Sequence, residues 1–379
     1  MSLIPIALSA VFSGYFVGVK KIVRSSATQV AGQIFKIALT VFLVLKMAEG
    51  GVAMATLALC ISTTLTELFS FAFAFFQYIT APKSKLQGEA ASRFSDVSNM
   101  ALPLAFSAYI RSALLTLEHV LIPRRLELYG ESEGSALSSY GTLHGMALPV
   151  ALYPMSPLSS FASLLVPEFA ESEAQRDSLR LKRICEEVIS TTLRYAAPVA
   201  VFIYLFSEEI AYSVYSSYEA GHYIAMLAPV IPIMYLDHVT DAMLKGIGEQ
   251  VYSMWVNITD SLLSVFLIWL LLPKMGISGY AWVIIIMEAY NFALSFVRLK
   301  ARVKFSIKSL LSFILPFLEA SLSAYLSDKL FAFSGSLTTP IQLAAKVVFS
   351  VCIFIALNFT ERLILKKKAH PCNKKVLSH

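Results

Sequence analysis

The feature that most constrains this chain is its repetition of apolar runs about 20 residues long, the length an α-helix needs to cross a bilayer. Read against their breakers, the runs give about eleven spans: 3–19, 27–48, 51–79, 100–122, 140–166, 189–214, 222–244, 251–272, 277–298, 308–328 and 339–364. In hydrocarbon no water satisfies a bare N–H or C=O, so such segments are helical throughout. Only 15% of the 379 residues are charged, against about 25% in a soluble domain. The expectation is an all-α, polytopic membrane helix bundle. A water-soluble enzyme lacks this apolar content, and so does a disordered chain.

The breakers between spans are short. Pro82 and the polar stretch 83–99 follow the third span, a turn at 130–134 follows the fourth, and a charged linker occupies 171–183. A tight hairpin fits Pro273 to Gly279. Most of the 31 Lys and Arg collect on one side, at Lys20, Lys21 and Arg24, at Arg176 to Arg183, at Arg298 to Lys308 and in the tail from Arg362 to Lys375. Cytoplasmic loops carry this excess, so the C-terminus is expected inside and, for an odd number of spans, the N-terminus outside. The net charge of +6 is explained by those loops, with no nucleic acid needed. Cys60, Cys185, Cys352 and Cys372 show no metal or disulfide spacing. No phosphate-binding glycine loop, zinc-protease pair or nucleophile elbow occurs. The expectation is a non-enzyme without cofactor or metal.

An ionisable side chain at membrane depth marks a functional position by default, because it costs a few kcal/mol there. Arg111 and Glu118 are seven residues apart on one face of their span; the guanidinium fork suits a phosphate, while a plain Arg–Glu tie is the structural reading. Asp237, Asp241 and Lys245 fall at i, i+4 and i+8 beside His238, either lining an aqueous vestibule or forming a salt-bridged helix end. Asn257, Asp260, Ser261 and Ser264 share a face and offer the oxygen ligands hard cations take; interhelical hydrogen bonding competes with that reading. Of the isolated charges Lys36, Glu67, Arg194, Glu288, Glu319 and Lys346, most are within snorkelling reach of an interface, and Glu67, beside Thr63, Thr64 and Thr66, is singled out for a cavity. His144 precedes Pro149, Pro154, Pro157 and Pro167, a density that bends a span and exposes carbonyls.

An ordered series carries a resemblance. It begins with Ile4 and Pro5, Gly14 to Gly18, Ser26 to Val30 and Gln33. It continues through Leu121 to Leu126, Ala136 to Gly141, Gly145 to Pro149 and Leu165 to Glu168. Leu244 to Gln250, Asn257 and Pro273 to Tyr280 complete it. Together these resemble the stage V sporulation protein B family of oligosaccharide flippases, relatives of the MATE transporters and lipid II flippases. The resemblance implies about fourteen helices in two lobes plus two C-terminal helices, with this chain matching helices four to fourteen. It implies residues 1–79 as a partial N-lobe, 80–99 as a cytoplasmic linker, 100–300 as the C-lobe, and 301–379 as two extra helices with a basic tail. It also implies a bacterial cytoplasmic (inner) membrane, alternating access with sodium or proton coupling, an undecaprenyl-pyrophosphate-linked saccharide as substrate, membrane lipid and glycan-assembly enzymes as partners, and a monomer. Arg111, Glu118, His144 and Glu67 are then the substrate-binding candidates, and Asn257, Asp260, Asp237 and Asp241 the cation-coupling ones. A MATE-type exporter of cationic drugs, whose cavity is lined by acids, stays open, as does a remnant without transport activity.

Overall fold

The computed structural model describes residues 3–18, 21–47, 50–81, 94–332 and 340–369. Most of the expected linker 80–99 and the end of the basic tail, with Cys372, lie outside the described residues. The chain divides into two compact units, Met1–Ser92 and Arg93–His379.

The first unit holds α1 (Leu3–Gly18), α2 (Ile22–Met47) and α3 (Val52–Thr80). Between apolar helices in lipid the hydrophobic effect supplies little, so hydrogen bonds and close packing hold them together. Here Ser13 bonds Ser25 across α1 and α2, Thr40 donates to Ser62 at 3.0 Å, and Arg24 donates to the Gln77 carbonyl at 2.8 Å. The Gln77 amide donates in turn to Thr28 at 3.1 Å, and the rings of Phe35 and Phe69 stack at 4.4 Å.

The second unit begins with α4 (Phe94–Tyr129), and a turn at Gly130 leads into α5 (Glu133–Gly141). The Ser132 hydroxyl caps α5 by accepting from the Ser135 amide. After α5 the backbone takes a π-helical turn, Thr142–Ala147, then α6 (Leu148–Leu152), a 3₁₀ turn and α7 (Ser156–Ala174). Two long helices, α8 (Ser178–Leu205) and α12 (Gln250–Met275), flank the shorter α9 (Ser207–Tyr215), α10 (Tyr218–Leu227) and α11 (Ile231–Gly246). The unit closes with α13 (Ile277–Val303), α14 (Ile314–Ala332) and α15 (Pro340–Ala369).

Among the described residues nine helical stretches are long and apolar enough to cross a membrane, and Leu3–Phe16 is a shorter apolar helix. The expected spans 189–214 and 222–244 shift. Helix α7 runs on to Ala174 and α8 begins at Ser178, so most of the linker foreseen at 171–183 is helical, and α8 ends at Leu205, with one residue between it and the start of α9 at Ser207. The charges of Arg180 and Lys182 disguise a helix whose other face is apolar and buried at Leu181, Cys185 and Val188. Helix α4 is not among the nine and carries Arg111, Glu118, Arg124 and Arg125.

Prolines break the 133–174 stretch as their lack of an N–H requires. The released carbonyls find hydroxyls. Tyr153 O accepts from Ser156 at 2.8 Å, Pro154 O from Tyr195 of α8 at 2.6 Å, and Ala151 O from Tyr235 of α11 at 3.0 Å. Tyr235 is 0% exposed, so its loss leaves a carbonyl with no substitute partner. Tyr235→Phe is expected to destabilise the protein by about 1–3 kcal/mol, read as a lowered midpoint of thermal unfolding in detergent; an unchanged midpoint would show that the bond is dispensable.

Close approach fixes the remaining contacts. A Cβ on Gly246 would sit 2.5 Å from the Phe169 Cβ and 2.9 Å from the Val166 carbonyl, so α11 crosses α7 where only glycine fits. At the corner between α11 and α12, Glu249 accepts from Arg298 at 2.8 Å and from Arg302 at 2.7 Å, clamping that corner to the end of α13. Gly276, at φ +60°, makes the turn between α12 and α13.

Candidate functional site: a carboxylate cluster around Arg111

Four helices of the second unit, α4, α11, α12 and α13, bring ionisable groups together near the middle of their lengths. Arg111 of α4 lies on an exposed face and interacts electrostatically with Glu118 on its own helix, with Asp260 of α12 and with Asp237 of α11. Asp260 in turn interacts with Glu118, Asp237 and Glu288 of α13. One guanidinium therefore interacts with three carboxyl groups, and Asp260 brings in Glu288 as the fourth acid of the cluster. The Oδ1 atoms of Asp237 and Asp260 are both buried and have no hydrogen-bond partner. A buried acceptor left unmatched costs free energy unless a proton, cation or ligand donor meets it.

A cavity of about 190 Å³ opens beside the cluster, lined by Glu118, Ser264, Glu288, Tyr280, Met234 and neighbouring apolar side chains. The Ser264 hydroxyl donates to the Glu118 carboxylate. At roughly 30 Å³ per water the cavity holds about six waters, whereas ligand pockets start at roughly 300 Å³. It is the right size for a hydrated small cation and too small for a saccharide diphosphate. Beyond Tyr280 lies an aromatic group: Tyr280 meets His144 at 3.5 Å, Tyr140 stacks on His144 with centroids 5.1 Å apart, and His119 bonds the Tyr140 hydroxyl.

The sequence-expected residues separate into three groups. Arg111, Glu118, Asp237 and Asp260 converge. Asn257 is one turn before Asp260, but its amide donates to the Ser253 carbonyl of its own helix at 2.7 Å, which ties it to its own backbone. Asp241 is tied to Lys245 at 2.6 Å, the salt-bridged helix end. His144 sits in the π-helical turn among aromatic rings, and Glu67 is half-buried on α3 of the first unit. Glu288 is the participant that sequence reading set aside as an isolated charge within snorkelling reach. Its eight-residue offset from Tyr280 places both on one face of α13, but only the neighbouring helices show that the face lines a cavity. Lys346 likewise does not snorkel: it is 11% exposed and bonded to Glu209 and Asp328.

Residues 142–270 match the MatE family model. Helix number, the proline-broken span and the shared fold given below define a polytopic membrane helix bundle with a MATE/MurJ-like fold. The chain is related to Stage V sporulation protein B of Bacillus subtilis (strain 168), with 24% identity over 371 residues, covering 95% of this chain and 71% of that protein. Its fold is shared with a structure described as lipid II flippase MurJ in an inward closed conformation, at a TM-score of 0.63 and 15% identity over 96% of this chain and 73% of the other. It is shared also with an inward-facing multidrug resistance MATE family transporter of the MOP superfamily, at a TM-score of 0.62 and 17% identity over 79% and 68%.

Proposed function

We infer that the chain flips a lipid-linked, pyrophosphate-bearing saccharide across the cytoplasmic membrane by alternating access, using the carboxylate cluster of the second unit to couple to a cation. The observation that carries the coupling is the pair of unmatched buried oxygens on Asp237 and Asp260, which interact with the Glu118 and Glu288 carboxyls that line the small cavity. Oxygen-only ligands suit sodium, and the same carboxyls suit a proton. Arg111, the one guanidinium in the cluster and exposed on its helix face, is the group fitted to an anionic headgroup. The saccharide itself is argued from kinship with Stage V sporulation protein B and from the fold shared with the MurJ flippase. In this reading the first unit is part of one lobe, residues 100–300 are the other, and α14 and α15 are additions to it.

A second reading has a specific observation in its favour: acids outnumber Arg111 four to one, as a site for organic cations requires. Proteoliposomes separate the two. The flippase reading expects translocation of a fluorescent undecaprenyl-pyrophosphate glycan and no gradient-driven movement of ethidium. Ethidium export without glycan flipping would replace it with the exporter reading.

Orientation is tested apart from substrate. With native cysteines replaced by Ala, Ser132→Cys is expected to react with an impermeant maleimide in intact cells and Ser178→Cys to stay unlabelled. The reverse pattern would place the C-terminus outside.

A further inference from the structure

Arg111, Glu118 and Arg125 follow one another at seven-residue intervals in α4 and so share one face of it. The two arginines are about 21 Å apart along the helix axis, more than one leaflet and less than the roughly 30 Å hydrocarbon core. Arg111 belongs to the carboxylate cluster. Arg125 lies shortly before the Gly130 turn, at the end of α4 that the proposed orientation puts outside.

Bases are scarce on that side. Lys46, Arg124, Arg125, Lys274 and Lys329 fall there, against the runs that collect on the other. Topology therefore gives no reason for a guanidinium at 125, and no acid holds it. Among the described residues Arg125 makes no ion pair, and its Nε is buried without a hydrogen-bond partner. Its one contact is an aromatic ring: the guanidinium carbon lies 5.0 Å from the centre of the Trp269 ring of α12. Acids are present at the same end, so placement and not net charge selects a ligand. Glu127, two residues on, is on the far side of α4 from Arg125. Glu131 accepts from the Ser139 hydroxyl at 2.9 Å, and Glu133 lies in the first turn of α5, where the helix dipole favours an acid.

We propose that Arg125, backed by Trp269, is a second anion station, which takes the pyrophosphate of the lipid-linked saccharide after it has left Arg111 and reached the outer leaflet. The identity of this ligand rests on the flippase reading. Trp269 covers one face of the guanidinium and leaves free its edge, the N–H fork that binds phosphate oxygens in pairs. The unmatched Nε calls for an acceptor. Trp269 is 52% exposed near the end of a helix long enough to cross the membrane, so the fork sits where a headgroup still attached to its lipid can reach it. A position on the Arg111 face puts the two stations on one line along α4.

The test uses the full chain in detergent with Arg111→Lys, which keeps the cluster's base without its fork, and measures its Kd for undecaprenyl pyrophosphate by native mass spectrometry. Adding Arg125→Gln is expected to weaken binding roughly tenfold or more, the worth of one charge-assisted hydrogen bond. Adding Arg124→Gln removes the same charge from another face of α4 and should leave the Kd unchanged. Arg125→Lys keeps the charge and loses the fork; it serves where Gln lowers the melting midpoint, and should also weaken binding. Location is read separately, in a chain whose exposed Trp255 and Trp282 are changed to Phe so that Trp269 is its sole indole. Undecaprenyl pyrophosphate should shift the Trp269 emission and undecaprenol should not. Equal weakening by Arg124→Gln and Arg125→Gln, an unchanged Kd in the Arg125 variants, or a silent Trp269 overturns the station. Equal affinity for dioleoyl phosphatidic acid would make Arg125 an anchor for ordinary phospholipid headgroups and overturn it as well. Glycan flipping in proteoliposomes with no effect of Arg125 on binding discards the station alone, and binding at Arg125 without flipping discards the flippase reading alone.

Discussion

Arg111→Ala is expected to abolish complementation of a flippase-deficient strain while the protein remains in the membrane at its normal level. A guanidinium on a pyrophosphate makes charge-assisted bonds worth about 1.5–3 kcal/mol, or roughly ten- to hundredfold in affinity. The effect here is expected at the upper end, because removing Arg111 also strips the only base from among Glu118, Asp237, Asp260 and Glu288 and leaves four carboxyl groups facing one another. Arg111→Lys separates the two contributions. The ammonium restores charge to the cluster but not the planar fork, so Lys should restore the thermal stability that the Ala variant loses to charge repulsion and leave headgroup recognition impaired. Normal growth of the Ala variant would remove Arg111 from any ligand role. Full rescue by Lys would reduce that role to balancing charge.

Asp260→Asn is expected to uncouple transport from its driving force. One elementary charge moving through 100 mV is worth about 2.3 kcal/mol, enough to hold a gradient of about fiftyfold. Asp260 interacts with every other ionisable member of the cluster and presents an unmatched buried oxygen, so it is the side chain through which a bound cation would be felt by the rest. In vesicles carrying an imposed potential or sodium gradient, the variant should equilibrate substrate to a ratio near one where the unaltered chain holds an asymmetric distribution. Identical ion and voltage profiles in the two proteins would place the coupling elsewhere. Asp237→Asn, tested beside it, should give the same loss, whereas Asp241→Asn should not, because Asp241 is engaged by Lys245.

How much of this was legible in the sequence depends on how local the signal is. Apolar runs and their breakers belong to single helices, so the all-α bundle, the turn at 130–134, the hairpin before Tyr280 and the bent 133–174 stretch can be read directly. The seven-residue spacing of Arg111 and Glu118 likewise puts both on one face of one helix. What a single helix cannot announce is the partner that faces it. Glu288 looks like any acid near an end until α4 and α12 are beside it. Lys346 looks like a snorkelling lysine until Glu209 and Asp328, drawn from 137 residues away and from the preceding helix, close on it. Glu249 lies inside the Leu244 to Gln250 stretch of the series that carries the resemblance, but its two arginines come from α13. Charge also misled in the other direction: at 178–183 it advertised a linker where an amphipathic helix begins.

The bent stretch from 133 to 174 has one further consequence. Its kinked shape is secured by hydroxyls borrowed from two other helices, Tyr195 and Tyr235, and not by its own ladder alone. A sliding of α8 or α11 by even a fraction of a helical turn would pull those oxygens away from the Pro154 and Ala151 carbonyls, and the stretch would have to re-form its bonds in another register. The π-helical turn beside it already carries the slack residue such a re-registration needs. The two tyrosines thus tie the shape of the kink to the positions of α8 and α11.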